Sequence, residues 1–161
     1  MKILAQVGLF ALALVIDSTR LINIPLLGGI HPLLFSAVVV SFAVSAGAFT
    51  GGLWGFIGGL SFGLLAGNPQ VGSLTMGGFL SGSLPVLLRP LLFWRRWTSQ
   101  VVLGFVSVLL FNLVVFAVSV IRGETNGFSW LTGLRMTSDA VLTALICPMI
   151  CAGMARLEAR H

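Results

Sequence analysis

Long apolar runs, interrupted only by short polar or glycine- and proline-containing breaks, extend through almost the whole chain. Hydrophobic residues make up 57% of the 161 residues and charged residues only 8%. A helix needs about 20 mostly apolar residues to cross a hydrocarbon core of about 30 Å. The sequence therefore predicts an all-α integral membrane protein, a compact bundle of about six transmembrane helices that forms a single polytopic domain over residues 1–161.

The breaks between the runs set the expected helix boundaries. A Gly-Gly-Ile-His-Pro turn precedes the second helix, and a Gly-Asn-Pro-Gln turn separates the third from the fourth. Glycine permits sharp reversals, and proline is tolerated in a first helical turn. The six helices are predicted at residues 3–16 (extending at most to 22), 32–46, 51–66, 71–88, 99–121 and 137–155.

The basic residues indicate how the bundle is oriented, because cytoplasmic loops carry an excess of Lys and Arg. Six crossings place both termini on one side of the membrane. That side holds Lys2, Arg89, Arg95, Arg96, Arg156 and Arg160, whereas the other holds Arg20, Arg122 and Arg135. Both termini are therefore predicted to be cytoplasmic. Arg89, Arg95 and Arg96, interleaved with tryptophans, form the predicted cytoplasmic basic hinge, which either anchors the chain or meets anionic lipid or a protein.

The sharpest pattern in the sequence is a glycine at every fourth position through the third helix. It comprises Gly51, Gly55, Gly59 and Gly63, with Gly47 and Gly67 at the flanks. Small residues at this spacing let two helix backbones approach closely in lipid. The groove either packs inside its own bundle, with Gly78 and Gly82 of helix four or Ala43 of helix two as contacts, or receives a second membrane protein.

Few residues are suited to catalysis or metal binding. The only histidines are His31 and His161, and no carboxylate pair lies in a predicted crossing, so we expect neither an enzyme nor a metal or cofactor site. Cys147 and Cys151 share one helix face and are interpreted as packing residues. The basic residues are scattered rather than clustered, which argues against a nucleic-acid partner.

Several polar residues lie within the predicted helices. Ser107, Asn112 and Ser119 of helix five either line a polar cavity or bond to a neighbouring helix or their own backbone. Asp139 is the one candidate for an intramembrane acid, and a position near a helix start equally favours an N-terminal cap.

Two stretches resemble the rod shape-determining protein MreD family. The first is Asp-Ser-Thr-Arg at 17–20 followed by Pro-Leu-Leu-Gly-Gly-Ile-His-Pro at 25–32. The second is the glycine-rich run 55–67 with the Asn-Pro-Gln-Val-Gly turn at 68–72. The resemblance covers about residues 17–82, and the rest of the chain agrees in hydropathy and layout.

The resemblance implies a non-enzymatic scaffold in the bacterial inner membrane that maintains rod shape and supports peptidoglycan synthesis. The implied partners are the single-span protein MreC, the actin-like MreB, and the glycosyltransferase RodA with its penicillin-binding transpeptidase, besides membrane lipid. The implied fold is similar to that of substrate-binding subunits of energy-coupling-factor transporters.

An alternative function is therefore vitamin-type uptake as such a substrate-binding subunit. A transporter subunit of this class needs ligand-contacting residues near the outer ends of its last helices. Asn112, Asn126, Trp130 and Asp139 are the candidates for that role.

Overall fold

The structure, a computed structural model, describes residues 2–19, 32–67, 69–87, 97–123 and 130–159. These residues form six α-helices. The helices are α1 (Lys2–Ser18), α2 (Leu34–Ala46), α3 (Ala48–Leu65), α4 (Val71–Leu87), α5 (Trp97–Ile121) and α6 (Trp130–Ala159).

Three helical segments of the described residues are long and apolar enough to cross a membrane: Ala48–Leu65, Trp97–Ile121 and Trp130–Gly153. The α2 helix has only 13 residues, which at 1.5 Å per residue is about 20 Å and shorter than a hydrocarbon core. The chain is thus a helical membrane protein, and the number of six crossings stays a prediction.

The α2 helix lies at the centre of the bundle and contacts all five other helices. Ten consecutive residues of this helix, 35–44, are buried. A helix that is apolar on every side lies either in a protein interior or in membrane hydrocarbon, and here the other helices surround it. Its small and β-branched side chains, together with Phe35 and Phe42, make up much of the core.

A single residue, Gly47, connects α2 to α3. Its φ of 103° lies in the region that L side chains rarely adopt. The two helices fold back on each other, because Phe42 lies 5.0 Å from Trp54 and Phe35 lies 5.7 Å from Phe62, measured between ring centroids. The predicted start of the third helix at Gly51 is therefore wrong, since α3 begins directly after Gly47.

The sixth helix also starts earlier than predicted, at Trp130 instead of Thr137. The polar residues that suggested a loop are accommodated inside the helix. The hydroxyl of Ser138 donates to the Leu134 carbonyl, 2.7 Å away, and that of Thr137 donates to the Gly133 carbonyl. Hydroxyls bonded to their own helix leave its backbone ladder intact. The starts and ends of the other four helices agree with the prediction within two residues.

Candidate functional site

The glycine face of α3 packs against α4 of the same chain. A Cβ atom built at Gly55 would overlap the carbonyl group of Gly78, and one built at Gly78 would overlap that of Gly55. One helical turn away, a Cβ atom built at Gly51 would overlap both the Gly82 carbonyl oxygen and Ala43 of α2. The two backbones are therefore in direct contact, as the small residues at these positions allow.

The same contact continues to the start of α4. At Gly59 a Cβ atom would meet the Leu74 carbonyl, and at Gly63 it would lie 3.1 Å from the Cα atom of Val71. All six predicted groove glycines thus lie in the α3–α4 interface. Since α4 fills the groove, a partner helix cannot dock there without displacing α4.

The N-terminus of α2 is held by side chains from two other helices. The Asp17 carboxylate of α1 accepts hydrogen bonds from the backbone N–H groups of Leu34 (3.2 Å) and Phe35 (2.8 Å). The Thr143 hydroxyl of α6 accepts one from the Leu33 N–H (2.9 Å) and donates to the Asp139 carbonyl (2.8 Å). These N–H groups have no partner within α2, and a nearby carboxylate also favours the positive end of the helix dipole.

A partly open cavity of about 200 Å³ lies beside these caps. Its polar lining residues are Asp17, Asn112 and Asp139, and its apolar walls include the rings of Phe62 and Phe111. The lining comes from the C-terminal parts of α1, α3 and α5 and from the start of α2, α4 and the first half of α6. Consecutive helices therefore alternate in direction, and the cavity lies at the end of the bundle where α2 begins.

Asn112 contributes an unusual group to this cavity wall. Its Nδ2 atom is buried and has no hydrogen-bond partner among the described residues. Asp139, by contrast, is not an N-terminal cap, because α6 begins at Trp130 and Asp139 lies in the interior of that helix. The sequence analysis did not identify Asp17 as a cap. Its capping of α2 depends on a packing contact between helices that local sequence does not encode.

The other polar residues of α5 make structural contacts. The Ser107 hydroxyl donates to the Ser81 carbonyl of α4 (2.8 Å) and lies 3.3 Å from the Ser36 hydroxyl of α2. The Ser119 hydroxyl bonds to the Gln70 side chain and to the Val115 carbonyl. These bonds tie α5 to its neighbours in the interior, where hydroxyls need partners.

The remaining candidate residues lie apart from the cavity or outside the described residues. Trp130 is 78% exposed and does not line the cavity. Cys147 and Cys151 are both buried, and Cys147 packs against Gly104. Asn126, and Arg89, Arg95 and Arg96 of the basic hinge, lie outside the described residues.

Within the described ranges, no three His, Cys, Asp or Glu side chains come together as metal ligands would. Comparison of the chain with protein-family models, curated proteins and solved structures finds no match.

Proposed function

We propose that this chain is a non-enzymatic inner-membrane scaffold of the bacterial cell-elongation machinery, as its resemblance to the MreD family implies. It crosses the membrane six times, with both termini in the cytoplasm. It binds MreC, and through the assembly it works with MreB, RodA and the transpeptidase. Its own contribution is a fixed surface on which the partners are held.

The backbone contact between α3 and α4 is the observation that supports this proposal best. Two helices that touch through Gly55 and Gly78 cannot slide or separate without losing close packing along their whole length. Together with the capped and surrounded α2, this contact restricts movement of the helices relative to one another, and a surface that is already ordered loses little entropy when a partner binds.

Because α4 occupies the glycine groove, the MreC helix has to meet an outer face of the bundle. The outer face of α3 carries large exposed apolar side chains, including Phe49, Phe56 and Leu64. Exposed apolar residues also line α5 and α6, among them Leu113 and Leu145. Such faces suit either lipid or a partner helix, and in this proposal MreC binds one of them.

In this proposal the basic hinge is cytoplasmic, as the distribution of Lys and Arg predicts. Arg89, Arg95 and Arg96 on that side would meet anionic lipid or MreB, since each basic residue near an anionic surface contributes roughly 1 kcal/mol.

A specific observation favours the second candidate, a substrate-binding subunit of an energy-coupling-factor transporter. Asn112 and Asp139, two of the four residues predicted for ligand contact, both line the cavity. Substrate pockets are concave and mostly apolar, with a few polar groups that fix the ligand, and this cavity has that character.

Site-specific photocrosslinking in the native membrane tests the scaffold proposal. A photoreactive phenylalanine analogue replaces one exposed residue at a time on α3, α4, α5 or α6, and the buried Phe35 is the matched control. The exposed positions are Phe56, Phe79, Leu113 and Leu145.

The scaffold proposal predicts a crosslink to MreC from at least one exposed position and none from Phe35. Crosslinks to a coupling subunit of a transporter, and none to MreC, would replace the scaffold with the transporter function.

A further inference from the structure

The α2 helix begins halfway along its neighbours α5 and α6 rather than at their ends. The Ser36 hydroxyl near the start of α2 lies 3.3 Å from the hydroxyl of Ser107, a central residue of the 25-residue α5. The Leu33 N–H donates to the hydroxyl of Thr143, which is equally central in the 30-residue α6. At 1.5 Å per residue, α5 continues for about 20 Å beyond Ser107 toward Ile121.

This level lies near the middle of the membrane, because α5 and α6 provide two of the segments that are long and apolar enough to cross it. The Asp17 carboxylate is held at the same level by the N–H groups of Leu34 and Phe35. Acidic side chains are rare at this depth, and almost all of them face a bundle interior or a water-filled cavity. Asp17 meets this requirement, since it bonds to α2 and lines the cavity.

The backbone at this level has a similar requirement. The first N–H groups of a helix and its last carbonyl groups have no partners within the helix. Non-helical backbone at membrane depth is tolerated only where it is buried in protein or lines a water-filled cavity. Pro32 and Leu33, which precede α2 (Leu34–Ala46), both line the cavity. Their placement therefore favours a cavity that contains water.

The cavity has the room and the polarity that water needs. Its volume of about 200 Å³ is the space of roughly six or seven liquid water molecules at about 30 Å³ each. A buried water needs about two to four polar partners, and the carboxyl groups of Asp17 and Asp139 both line the cavity. Each Asp17 oxygen accepts one backbone N–H and keeps a second acceptor position.

The cavity extends from Asp17 toward one surface of the membrane only. Its lining residues Val115 and Asp139 lie one helical turn beyond the level of the α2 start, toward the end of α5 and the beginning of α6. On the other side of Asp17 the interior is closed, because Phe35, Val39 and Val108 are at most 1% exposed and belong to the core.

We propose that this cavity is a vestibule, a water-filled space that connects one membrane surface to Asp17 in the middle of the bundle. The vestibule gives water, and with it protons, access to this carboxyl group from one side of the membrane. This role does not depend on the scaffold function.

Cysteine accessibility in the full chain tests the vestibule along α5. Single cysteines are introduced after Cys147→Ala and Cys151→Ala, and they react with a membrane-impermeant trimethylammonium methanethiosulfonate, which modifies thiols in water. Val115→Cys lines the cavity. The matched controls are Leu113→Cys and Ala117→Cys, two residues to either side, because both positions are exposed on the outer face of the bundle.

We expect Val115→Cys to react at least tenfold faster than both controls, although its depth lies between theirs. Rates that simply follow depth, with Ala117→Cys fastest and Leu113→Cys slowest, would overturn the proposal. So would a rate for Val115→Cys that is as low as those of both controls, since the cavity would then be dry.

A second pair of variants tests the depth of the vestibule floor on α1. Ile16→Cys lines the cavity next to Asp17, whereas its neighbour Val15 is 51% exposed on the outside of the bundle. We expect Ile16→Cys to react at least tenfold faster than Val15→Cys. Rapid reaction of both would place the end of α1 at the membrane surface, and slow reaction of both would show that water does not reach it. Either result would contradict the proposal.

The reaction should also depend on the side from which the reagent comes. Spheroplasts and inverted membrane vesicles present opposite sides of the membrane to the reagent. We expect Val115→Cys and Ile16→Cys to react rapidly in only one of these preparations, the same one for both. Equal rates in the two preparations would refute a vestibule that is closed at Asp17.

Discussion

Replacing Gly55 by alanine tests the backbone contact between α3 and α4. The added Cβ atom would overlap the Gly78 carbonyl, and no side-chain rotation relieves this overlap because the obstacle is backbone. The two helices have to move apart. A gap of about 0.5–1 Å forfeits a quarter to a half of the attraction of each contacting atom pair, and the loss extends from Gly51 to Gly63.

Overpacking in a close-packed interior costs about 1–3 kcal/mol, and the rigid obstacle places Gly55→Ala near the upper end, about 2–3 kcal/mol. Gly8→Ala on α1 is the matched control, because no described heavy atom lies within 4 Å of its Cβ position. Relief of glycine's conformational entropy should make that variant about 0.5–1 kcal/mol more stable than the wild type.

The measurement is the free energy of unfolding in mixed micelles with increasing dodecyl sulfate, followed by circular dichroism. We expect Gly55→Ala and Gly8→Ala to shift the midpoint in opposite directions. If Gly55→Ala is as stable as Gly8→Ala, the helices have room between them and the backbone-contact argument is wrong.

The other predictions concern the caps of α2 and the buried thiols. Asp17→Ala should lower the free energy of unfolding by about 1–2 kcal/mol, because the Phe35 N–H loses its acceptor and the Leu34 N–H keeps only the Pro32 carbonyl. Asp17→Asn, which keeps an oxygen, should lose less, and equal losses would contradict the capping role. Thr143→Val should lose about 1–3 kcal/mol in the same assay, since it leaves the buried Leu33 N–H unpaired. Thr143→Ser keeps the hydroxyl and is the control. If Thr143→Ser loses as much unfolding free energy as Thr143→Val, packing matters more than the hydrogen bond from the Leu33 N–H. Cys147 and Cys151 are buried, so a membrane-permeable maleimide should label them slowly until detergent unfolds the chain, whereas Thr137→Cys, at an exposed position of α6, should react at once. Rapid labelling of the native cysteines would contradict the packing of α6 against α5.

The close approach of α3 to another helix could be predicted from the sequence, because residues four apart lie on the same face of any α-helix. The spacing of Gly51, Gly55 and Gly59 therefore predicted a close approach and also the candidate contacts Gly78 and Gly82. What the spacing did not decide was whether α4 or another protein fills the groove. That depends on how the helices are arranged in space.

The start of α6 was missed for a local reason. The segment before Thr137 is rich in polar residues and contains Gly133, and such a composition predicts a loop. Helical backbone tolerates these residues when hydroxyls such as those of Thr137 and Ser138 bond to carbonyls of the preceding turn. The misplaced start then made Asp139 resemble a cap.

The cavity was only partly predictable. Asn112 was identified as a residue that either lines a cavity or bonds within the bundle, and Asp139 as a candidate for either an intramembrane acid or an N-terminal cap. Their meeting with Asp17 depends on the alternation and packing of α1, α5 and α6. The spacing of residues within one helix does not predict which residues of different helices come together.

Depletion of this protein in its native organism is the most direct test of the scaffold account. The account predicts that rod-shaped cells become round, that peptidoglycan insertion along the cylinder falls, and that the wild-type chain but not a Gly55→Leu variant restores both. Cells that keep their shape and instead lose uptake of a vitamin would contradict the scaffold and favour the transporter subunit.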